Sequence, residues 1–538
     1  MRELFAGRGW LWLAGAFALV YAVNLGTPEL SVIDESRTAM IVRNIAEEGN
    51  WLLPRTPDGY LSEKPPLHYW GSAVFTRVAG ESEEVLRGVS WAMAVLTLLV
   101  AGRLALLIGG PRAAGVAVVV LGCNTLFTAW ARSATVDMTF TFFLTAGMGA
   151  YVAARLGRLE PRSASALCGV GFGLAVLTKG PLGLVIPLAA AALDVLVVTR
   201  GRFWKAPLPW NAAAPALLIA VALALTWYLP AALAGGRAFL HTSLLDENVY
   251  MPLGLKHGIA GSHVKPPWYY PLRQLAILLP AAALLPAAVR RLCGREAGPA
   301  RTVLATWAAA GFLVLMAASN KRWYYLLPLQ PAIAILIALA IAPPWDSASS
   351  RILRWSAFAM GIFLAVGALA AAGIAFSEPG THVSGDVRIF DLLREHKLRI
   401  ALAGACLSWA GILMIFSSFG PASAIVRSVL IAGVLVAACR PFVMDPIEGT
   451  RDQIKTFAEE MDSVLPPGAR VAFWPPAYGY GLDYYWRSKL ERGTTAANTA
   501  EYLLVRRSLI ATLPFPVDIL GVIGFSSEGR DVALVRRR

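Results

Sequence analysis

Residues Ser31–Trp70 read SVIDESRTAMIVRNIAEEGNWLLPRTPDGYLSEKPPLHYW and lie between two apolar runs. In a chain that is 57% hydrophobic, this stretch gathers charges of both signs, including Asp34, Glu35, Arg37 and Lys64. Ionisable groups at membrane depth or at the membrane edge are rare unless they pair, face an aqueous cavity or do chemistry. The stretch therefore predicts a functional site at the edge of a membrane domain.

Composition predicts the setting of that site. The chain has 538 residues, 15% of them charged, and a mean hydropathy of +0.58. This is far more apolar sequence than one soluble core needs. We predict a mainly α, polytopic helical membrane bundle of about 13 transmembrane helices, because that many apolar runs approach the length that crosses a bilayer. The predicted spans lie near 10–27, 86–108, 113–130, 137–154, 163–178, 181–199, 211–233, 273–289, 302–319, 325–342, 355–376, 398–417 and 424–442.

The distribution of positive charge along the chain indicates how the chain is oriented in the membrane. The formal net charge is +14, but the arginines lie mostly in alternate short links between apolar runs, which favours membrane lipids over nucleic acid as partners. Links rich in Lys and Arg are cytoplasmic, so we expect a cytoplasmic N-terminus and, after an odd number of spans, a C-terminus outside. The five cysteines are scattered without CxxC spacing and predict neither a disulfide framework nor a thiolate metal site.

The composition changes near Asp445. Residues 1–442 form the predicted transmembrane module, and residues 31–70 form its first outer loop, with interfacial helices on the outer face. Residues 443–538 form a predicted small extracytoplasmic (periplasmic) α/β domain. In this domain RDQIKTFAEEMDSVL has the spacing of an amphipathic helix, PPGARVAFW and DVALVRRR are typical of strands, and YLLVRRSLIATL fits either.

Cations also occur in the predicted outer links, where the positive-inside rule disfavours them. These links include RSATVD with Arg132 and Asp137, TKGP with Lys179, and the long loop with Lys265. Binding an anion near the outer leaflet is one reason for cations there. Simpler explanations remain open, because Arg132 and Asp137 can form a structural ion pair and Lys179 can snorkel to lipid headgroups.

The DESR motif has two interpretations. Asp34 and Glu35 begin a pattern typical of an interfacial helix, and a helix cap with a solvated ion pair explains them. In the functional interpretation, Asp34 is a general base or orients an acceptor hydroxyl, and Arg37 contacts a phosphate.

Four further residues suit an anion or the membrane interface. The prolines after Lys64 fix an extended backbone, and a lysine held there supplies a charge suited to phosphate. Lys321 and Tyr325 are four residues apart, so on a helix both face one side. A phosphate oxygen suits that pair, and interfacial anchoring explains it equally. His68, which precedes two aromatic residues, is expected to be an interfacial anchor.

A metal is the next candidate ligand. Glu63 and His263 suit zinc or magnesium, although a hydrogen-bonded loop histidine also explains His263. There is no GxxxxGK[ST] loop and no glycine-rich dinucleotide fingerprint in the sequence, so we expect no nucleotide cofactor. An activated lipid or a gradient is then the expected source of energy.

Several stretches together resemble the GT-C integral-membrane glycosyltransferases. They are DESRTAMIVRNIAEEGNWLLPR, YLSEKPPLHYW, RSATVD, LTKGP, HVKPPWYY and NKRWYYLLPLQPA, and they extend over most of the first 340 residues. The resemblance is to the branch that contains the aminoarabinose–lipid A transferases and the bacterial relatives of protein O-mannosyltransferases. NKRWYYLLP departs from the proline-containing turn usual in the aminoarabinose transferases, so the resemblance does not carry over their particular sugar and acceptor.

The resemblance implies an enzyme of the bacterial inner membrane that acts on its outer side. It would transfer a sugar from a polyprenyl-phosphate donor, with inversion, to lipid A or a related cell-envelope glycolipid. A protein acceptor is the alternative within the enzyme class, and a polyprenyl-lipid flippase or transporter is the alternative outside it. The site residues implied by the resemblance are Asp34 and Asp137 as acids, Arg37, Lys64 and Tyr325 as donor-phosphate contacts, and Glu63 and His263 as the metal position. From the residues themselves we add Lys321 as a further donor-phosphate contact and Glu35, Arg132, Lys179 and Lys265 as secondary residues.

Overall fold

The computed structural model of the chain describes residues 7–30, 33–57, 59–200, 210–253, 255, 264–293, 298–376, 395–449, 454–474, 480–486, 490–491, 500–525 and 530–538. In chain order its helices are α1 (Gly9–Ala22), α2 (Ile33–Glu48), α3 (Leu67–Ala79), α4 (Glu83–Gly122), α5 (Thr125–Trp130), α6 (Val136–Arg155), α7 (Pro161–Lys179), α8 (Leu182–Val198), α9 (Trp210–Phe239), α10 (Tyr269–Ile277), α11 (Leu285–Cys293), α12 (Pro299–Ala317), α13 (Gln330–Ala340), α14 (Ser347–Phe376), α15 (Lys397–Ser418), α16 (Ala422–Cys439), α17 (Asp445–Gly449), α18 (Ile454–Val464) and α19 (Tyr480–Tyr485). A π-helical segment, Leu240–Tyr250, continues α9, and a 3₁₀ segment, Trp323–Leu329, leads into α13.

The chain is a multi-span helical membrane protein, as predicted. Among the described residues, eight helices are long and apolar enough to cross a membrane, or nine if the bent pair Tyr269–Ile277 and Ala281–Cys293 is one span. The predicted count of about 13 is not confirmed. Helices α1 and α8 have only 14 and 17 residues, fewer than the roughly 20 that span a bilayer. The predicted spans 86–108 and 113–130 lie in one bent segment, α4, and the short helix α5.

Specific residues set where these helices begin, bend and end. The Ser82 side chain accepts a hydrogen bond from the amide of Val85 at 3.3 Å and caps α4. Gly110 has a φ of +77° and is followed by Pro111, which together bend α4 because glycine tolerates that φ and proline lacks an N–H. Gly180, with a φ of +83°, ends α7 directly after Lys179. The Lys179 side chain is therefore presented at a helix end.

Buried amide side chains fix the partners of three elements inside the bundle. Gln330, the first residue of α13, accepts a hydrogen bond from the Asn124 amide at 2.9 Å. Gln330 and Gln274 of α10 also exchange hydrogen bonds of 3.0 and 2.9 Å. Leucine and alanine contacts alone discriminate poorly between neighbouring helices in a membrane, whereas interhelical hydrogen bonds between small polar groups do so well.

The C-terminal region contains a five-stranded mixed sheet in the order β2-β1-β3-β5-β4. The strands are β1 (Val471–Trp474), β2 (Leu490–Glu491), β3 (Tyr502–Arg506), β4 (Val517–Phe525) and β5 (Arg530–Arg537). Strands β2 and β3 pair with β1 in parallel, and β5 pairs with β3 and β4 in antiparallel fashion. Helix α18 and strands β1 and β5 lie where the amphipathic and alternating patterns predict them. The ambiguous YLLVRRSLIATL forms strand β3 followed by a 3₁₀ turn.

The sheet domain packs against α2. Arg43 of α2 donates hydrogen bonds to the backbone oxygens of Asp483 and Tyr484 at 3.1 and 3.0 Å. The hydroxyl of Tyr485 donates to the Glu83 carboxylate at the start of α4 at 2.9 Å. The helix that begins with the DESR motif is therefore held between the bundle and the C-terminal domain.

Candidate active site

One polar cavity of about 90 Å³ gathers residues that are far apart in the sequence. We call it the polar cavity, and its lining consists of Asp34, Arg37, Thr38, Ile41, Glu63, Lys64, Tyr69, Thr135, Val136, Asp137, Lys179, Glu247, Met251, Arg322, Tyr324 and Tyr325. Seven of the residues singled out in the sequence meet there, namely Asp34, Arg37, Glu63, Lys64, Asp137, Lys179 and Tyr325. The first outer loop is therefore one wall of a site completed by four later stretches.

Asp34 lies in the first turn of α2 and faces the 3₁₀ segment before α13. Its Oδ2 accepts from Nη1 of Arg322 and from the hydroxyl of Tyr324, both at 3.3 Å. Nη1 of Arg322 also donates to the Tyr324 hydroxyl at 2.6 Å, and the Tyr324 ring stacks on Trp130 with centroids 4.9 Å apart. A carboxylate in this first turn is also favoured by the helix dipole.

Two ion pairs connect the loop after α2 to its surroundings. Nη1 of Arg37 donates to Oε2 of Glu63 at 3.0 Å, and both side chains are about one-third exposed. The Lys64 ammonium donates to Oε2 of Glu247, which is buried in the π-helical segment. Burial acts to lower the pKa of Lys64, but the Glu247 carboxylate outweighs burial and raises this pKa above its ordinary value. Lys64 therefore stays a cation at physiological pH.

A third ion pair joins the cavity ends of α6 and α7. The Lys179 ammonium donates to Oδ1 of Asp137, and both side chains are less than one-tenth exposed. The same ammonium lies 4.6 Å from the ring centroid of Tyr325, within cation–π distance. Snorkelling to headgroups does not describe this lysine, since it is buried against a carboxylate and an aromatic ring.

Glu35 and Arg132 lie outside the lining of the polar cavity and support its walls instead. Arg87 donates two hydrogen bonds of 3.0 Å to Glu35, and the amide of Ala134 donates a third of 2.6 Å. Arg132 donates to Asp445 at 2.7 Å and Asp137 pairs with Lys179, so the Arg132–Asp137 ion pair, one of the two interpretations left open by the sequence, does not form. The sequence suggested Asp137 because it is five residues away, whereas Asp445 is 313 residues away.

The expected pairing of Lys321 with Tyr325 on one helix face is wrong because the backbone is not α-helical there. Arg322 has extended dihedral angles (φ −113°, ψ 136°), and residues 323–329 form a 3₁₀ helix. Successive side chains on extended backbone point to opposite sides. Arg322 therefore enters the polar cavity, while Lys321 is buried elsewhere and donates to the backbone oxygen of Ala318. Lys265 also lies outside the lining of this cavity.

Sequence reasoning passed over four residues of the polar cavity: Tyr69, Glu247, Arg322 and Tyr324. Arg322 and Tyr324 belong to the NKRWYY run. The sequence shows that this run is polar, but it does not show that the backbone at Arg322 is extended, which determines which side chains face the polar cavity. Glu247 belongs to LLDENVY, where adjacent acidic residues in an otherwise apolar segment were the available signal.

The expected metal position receives no second ligand among the described residues. His263 lies outside them, and the Glu63 carboxylate accepts from Arg37. Within the described part of the chain, no group of three His, Cys, Asp or Glu side chains is arranged to share a metal ion. Because His263 is not among the described residues, the metal position stays a prediction, and we derive no chemical step through a metal.

Comparisons with known proteins bear on the fold of the chain. The structure matches that of ArnT from Cupriavidus metallidurans bound to undecaprenyl phosphate, with a TM-score of 0.79, 98% of each chain covered and 19% sequence identity. Residues 63–227 match the dolichyl-phosphate-mannose-protein mannosyltransferase family. The chain therefore has the GT-C fold of integral-membrane glycosyltransferases.

Within that class, its sequence relatives are the undecaprenyl phosphate-alpha-4-amino-4-deoxy-L-arabinose arabinosyl transferases. The protein of that name from Edwardsiella ictaluri is 31% identical over 340 residues, which are 61% of this chain and 59% of the relative. The one from Pectobacterium carotovorum subsp. carotovorum is 28% identical over 379 residues, which are 69% and 66% of the two chains. The chain thus spans about three-fifths to two-thirds of the length of these relatives.

Proposed function

We propose that this chain is an inverting glycosyltransferase with a polyprenyl-phosphate-linked sugar as donor. The observation that carries the proposal is the polar cavity, where four cations and four carboxylates converge from distant stretches. The donor class is supported by the undecaprenyl phosphate in the names of the sequence relatives and in the ArnT structure of the same fold.

The charges of the polar cavity explain how a phosphate would be held. Its cations are Arg37, Lys64, Lys179 and Arg322, and each is paired with one of its four carboxylates. The formal charge therefore cancels when the cavity is empty of substrate. A phosphodiester carries one negative charge. It therefore binds only if a cationic side chain of the polar cavity leaves its carboxylate partner and contacts the phosphate instead. Such exchange is favoured at the partly exposed pairs, since exposed ion pairs contribute only about 0–1 kcal/mol.

The size of the cavity indicates that it opens for substrate. Its volume of about 90 Å³ is smaller than the roughly 300–1,000 Å³ of pockets that enclose small molecules. It accommodates a phosphate-sized group but not a sugar with its acceptor. The Arg37–Glu63 and Arg322–Asp34 pairs are the more exposed contacts across the cavity. Their separation would admit the glycolipid.

The proposed reaction is a displacement at the anomeric carbon. The bond from that carbon to the acceptor oxygen forms as the bond to the donor phosphate oxygen breaks on the opposite face. The leaving phosphate gains negative charge, and Lys64 and Arg322, whose side chains are partly exposed, stabilise that charge. A hydroxyl acceptor would give its proton to Asp34, whereas an ionised phosphate acceptor needs no base.

The acceptor and the membrane orientation are further parts of the proposal. We favour lipid A or a related cell-envelope glycolipid on the outer face of the inner membrane, with a cytoplasmic N-terminus and a periplasmic C-terminal domain. The arginine-rich alternate links support this orientation. A protein hydroxyl is the second candidate acceptor, favoured by the family match over residues 63–227.

The test measures sugar transfer by the purified full-length protein in lipid nanodiscs. The donor is undecaprenyl-phosphate-linked aminoarabinose, and the acceptors are lipid A and, separately, a serine- and threonine-rich peptide. We expect Lys64→Ala to lower kcat/KM by about 100-fold, the usual effect of removing one group that stabilises developing charge. Lys265→Ala is the control, since Lys265 is a loop cation outside the polar cavity. Equal donor consumption by wild type and Lys64→Ala would refute the site.

Asp34→Asn separates the two acceptor classes. With a hydroxyl acceptor it removes the base, so kcat falls by about 100-fold or more. With a phosphate acceptor it disturbs only positioning, so most of kcat is retained. Movement of donor across the membrane by a protein that transfers no sugar to either acceptor would favour the flippase.

Zinc or magnesium at Glu63 is a separate proposal, supported only by the resemblance. Incubation with EDTA followed by addition of zinc or magnesium tests it. Activity that is lost and then restored by one metal supports a metal requirement, and unchanged activity argues against it.

A further inference from the structure

A second cavity lies at the opposite end of the helices that carry Asp137 and Lys179. It has a volume of about 300 Å³ and is lined by side chains of α6, α7, α8 and α9. We call it the α6–α9 cavity. Asp137 is at the start of α6 and Arg155 at its end, so at 1.5 Å per residue these two charged groups are roughly 27 Å apart along the helix. Nothing in the proposed transfer reaction uses this end of the bundle.

The α6–α9 cavity contains a carboxylate oxygen that is not satisfied. Asp194 is 1% exposed, and its Oδ2 accepts from the Tyr151 hydroxyl at 3.0 Å and from Nε of Arg155 at 2.8 Å. Its Oδ1 is buried and has no hydrogen-bond partner within the described part of the chain. A buried charged oxygen without a partner is energetically costly. The oxygen therefore indicates a ligand that carries an N–H or O–H donor.

Arg155 supplies the complementary charge. Its Nε donates to Asp194 at 2.8 Å, and the guanidinium also contacts the Tyr151 hydroxyl. The side chain is 22% exposed at the last residue of α6. A guanidinium has five N–H donors in a planar fork, so this one can also contact a phosphate.

The remaining walls of the cavity are apolar. From the polar end, the lining passes to Leu184, Phe172 and Met148. Met148 is seven residues before Arg155 on α6 and thus lies roughly 10 Å deeper in the membrane. Leu188 and Leu217 at the rim are 52% and 43% exposed, so the cavity opens between the helices toward lipid.

We propose that the α6–α9 cavity binds one glycerophospholipid, whose phosphate contacts Arg155 and whose headgroup donor is accepted by Asp194 Oδ1. An acyl chain then runs along the apolar wall toward Met148. Phosphatidylethanolamine and phosphatidylglycerol both have the required chemistry, since one carries an ammonium and the other hydroxyl groups. Phosphatidylcholine does not, because its quaternary nitrogen has no N–H.

The distal tail of a polyprenyl donor is the competing occupant. Such a tail is a hydrocarbon and would leave Asp194 Oδ1 without a partner. The charge and hydrogen-bonding groups of the cavity therefore favour a phospholipid headgroup. The two occupants are distinguished by competition.

The experiment uses the full-length protein, delipidated in detergent and then mixed with equal amounts of phosphatidylethanolamine, phosphatidylglycerol and phosphatidylcholine. Native mass spectrometry measures the lipid that remains bound. We expect one phospholipid per chain, with phosphatidylethanolamine or phosphatidylglycerol retained at least three-fold over phosphatidylcholine. Arg155→Gln should lower retention about ten-fold, and Asp194→Asn should abolish the headgroup preference. Arg158→Gln, at an exposed arginine just beyond α6, should leave retention unchanged.

Ala191→Phe provides an independent arm, because Ala191 lines the cavity and a larger side chain would fill it. A variant that folds with an unchanged Tm but loses the bound phospholipid supports the proposal. Equal retention of all three lipids by wild type and Arg155→Gln would overturn it. Displacement of the phospholipid by stoichiometric undecaprenyl phosphate would also overturn it and assign the cavity to the donor tail.

Discussion

Nη1 of Arg322 lies 3.3 Å from Oδ2 of Asp34, although 288 residues separate the two in the chain. This contact joins the first outer loop to the segment before α13 and closes one side of the polar cavity. Its neighbour Lys321 has the same charge but donates to the backbone oxygen of Ala318. Two adjacent cations thus have different surroundings, and variants distinguish their roles.

We predict that Arg322→Met lowers the kcat/KM of sugar transfer by about 100-fold, since it removes a cation that faces the phosphate position. Lys321→Met should change kcat/KM by less than about three-fold and cost about 1 kcal/mol of stability through the unsatisfied Ala318 oxygen. Donor-consumption kinetics and thermal unfolding of both variants provide the measurement. A larger loss of kcat/KM from Lys321→Met than from Arg322→Met would show that Lys321, and not Arg322, faces the polar cavity.

The Glu35–Arg87 pair should be essential to stability rather than to chemistry. Both side chains are buried, and burial alone would raise the pKa of Glu35, but the Arg87 charge and hydrogen bonds lower it. Glu35→Leu should therefore cost about 3–5 kcal/mol by leaving the Arg87 cation buried without its partner. Glu35→Leu combined with Arg87→Leu should cost less than either single change. Unfolding measurements on this double-mutant cycle check the prediction.

The control for that cycle is the exposed pair of Arg536 and Glu501, which are 2.9 Å apart with more than half of each side chain exposed. Arg536→Leu should cost at most about 1 kcal/mol. Equal losses from the buried and the exposed pair would contradict a structural role for Glu35.

His68 should make stability fall with decreasing pH. It is fully buried, its Nδ1 lies 2.8 Å from Oγ1 of Thr139, and it is not the exposed interfacial anchor that the sequence suggests. Burial lowers the pKa of His68 from 6.5 to about 4, although the Asp137 carboxylate acts in the opposite direction. Between these values the unfolded chain binds a proton that the folded chain does not, so the free energy of unfolding decreases by about 3 kcal/mol as the pH falls from 6.5 to 4.

Denaturant unfolding in detergent at pH 7, 5.5 and 4.5 measures this effect. His68→Gln should remove most of the slope, whereas His241→Gln, at an exposed histidine, should retain it. An unaltered slope in His68→Gln would assign the pH dependence to other groups.

Arg43 should hold the C-terminal domain on α2. It forms an ion pair with Glu81 at 2.9 Å in addition to its bonds to the backbone of α19. We expect Arg43→Ala to increase hydrogen exchange of the amides of Tyr480–Tyr485 and to lower transfer, because α2 then loses support on the side away from the cavity. Arg55→Ala, at an exposed arginine whose side chain donates to the nearby backbone oxygen of Gly59, is the matched control. Unchanged exchange in Arg43→Ala would mean that the domain is held by other contacts.

The sequence by itself determined which parts of the chain are helical and where the polar wall begins. Apolar run lengths gave the membrane helices, alternating and 3.6-residue patterns gave β1, β5 and α18, and the charges of Ser31–Trp70 marked the loop that contributes Asp34, Arg37 and Lys64. These features depend on local composition and periodicity, which a sequence displays directly. Counting apolar runs did not predict the short and bent helices. A break such as the one at Gly110 bends a helix without changing the hydropathy of the run that contains it.

Only the tertiary structure decided which charges meet. Arg132 binds Asp445 instead of Asp137, Glu35 pairs with Arg87 outside the lining of the polar cavity, and Arg322 replaces Lys321 in that cavity. Each outcome depends on how distant elements pack or on the local backbone dihedral angles that set the direction of a side chain. Residue type and spacing in the sequence specify neither the packing nor these angles. Charged groups in a membrane protein must find partners or water, but the fold selects the partner.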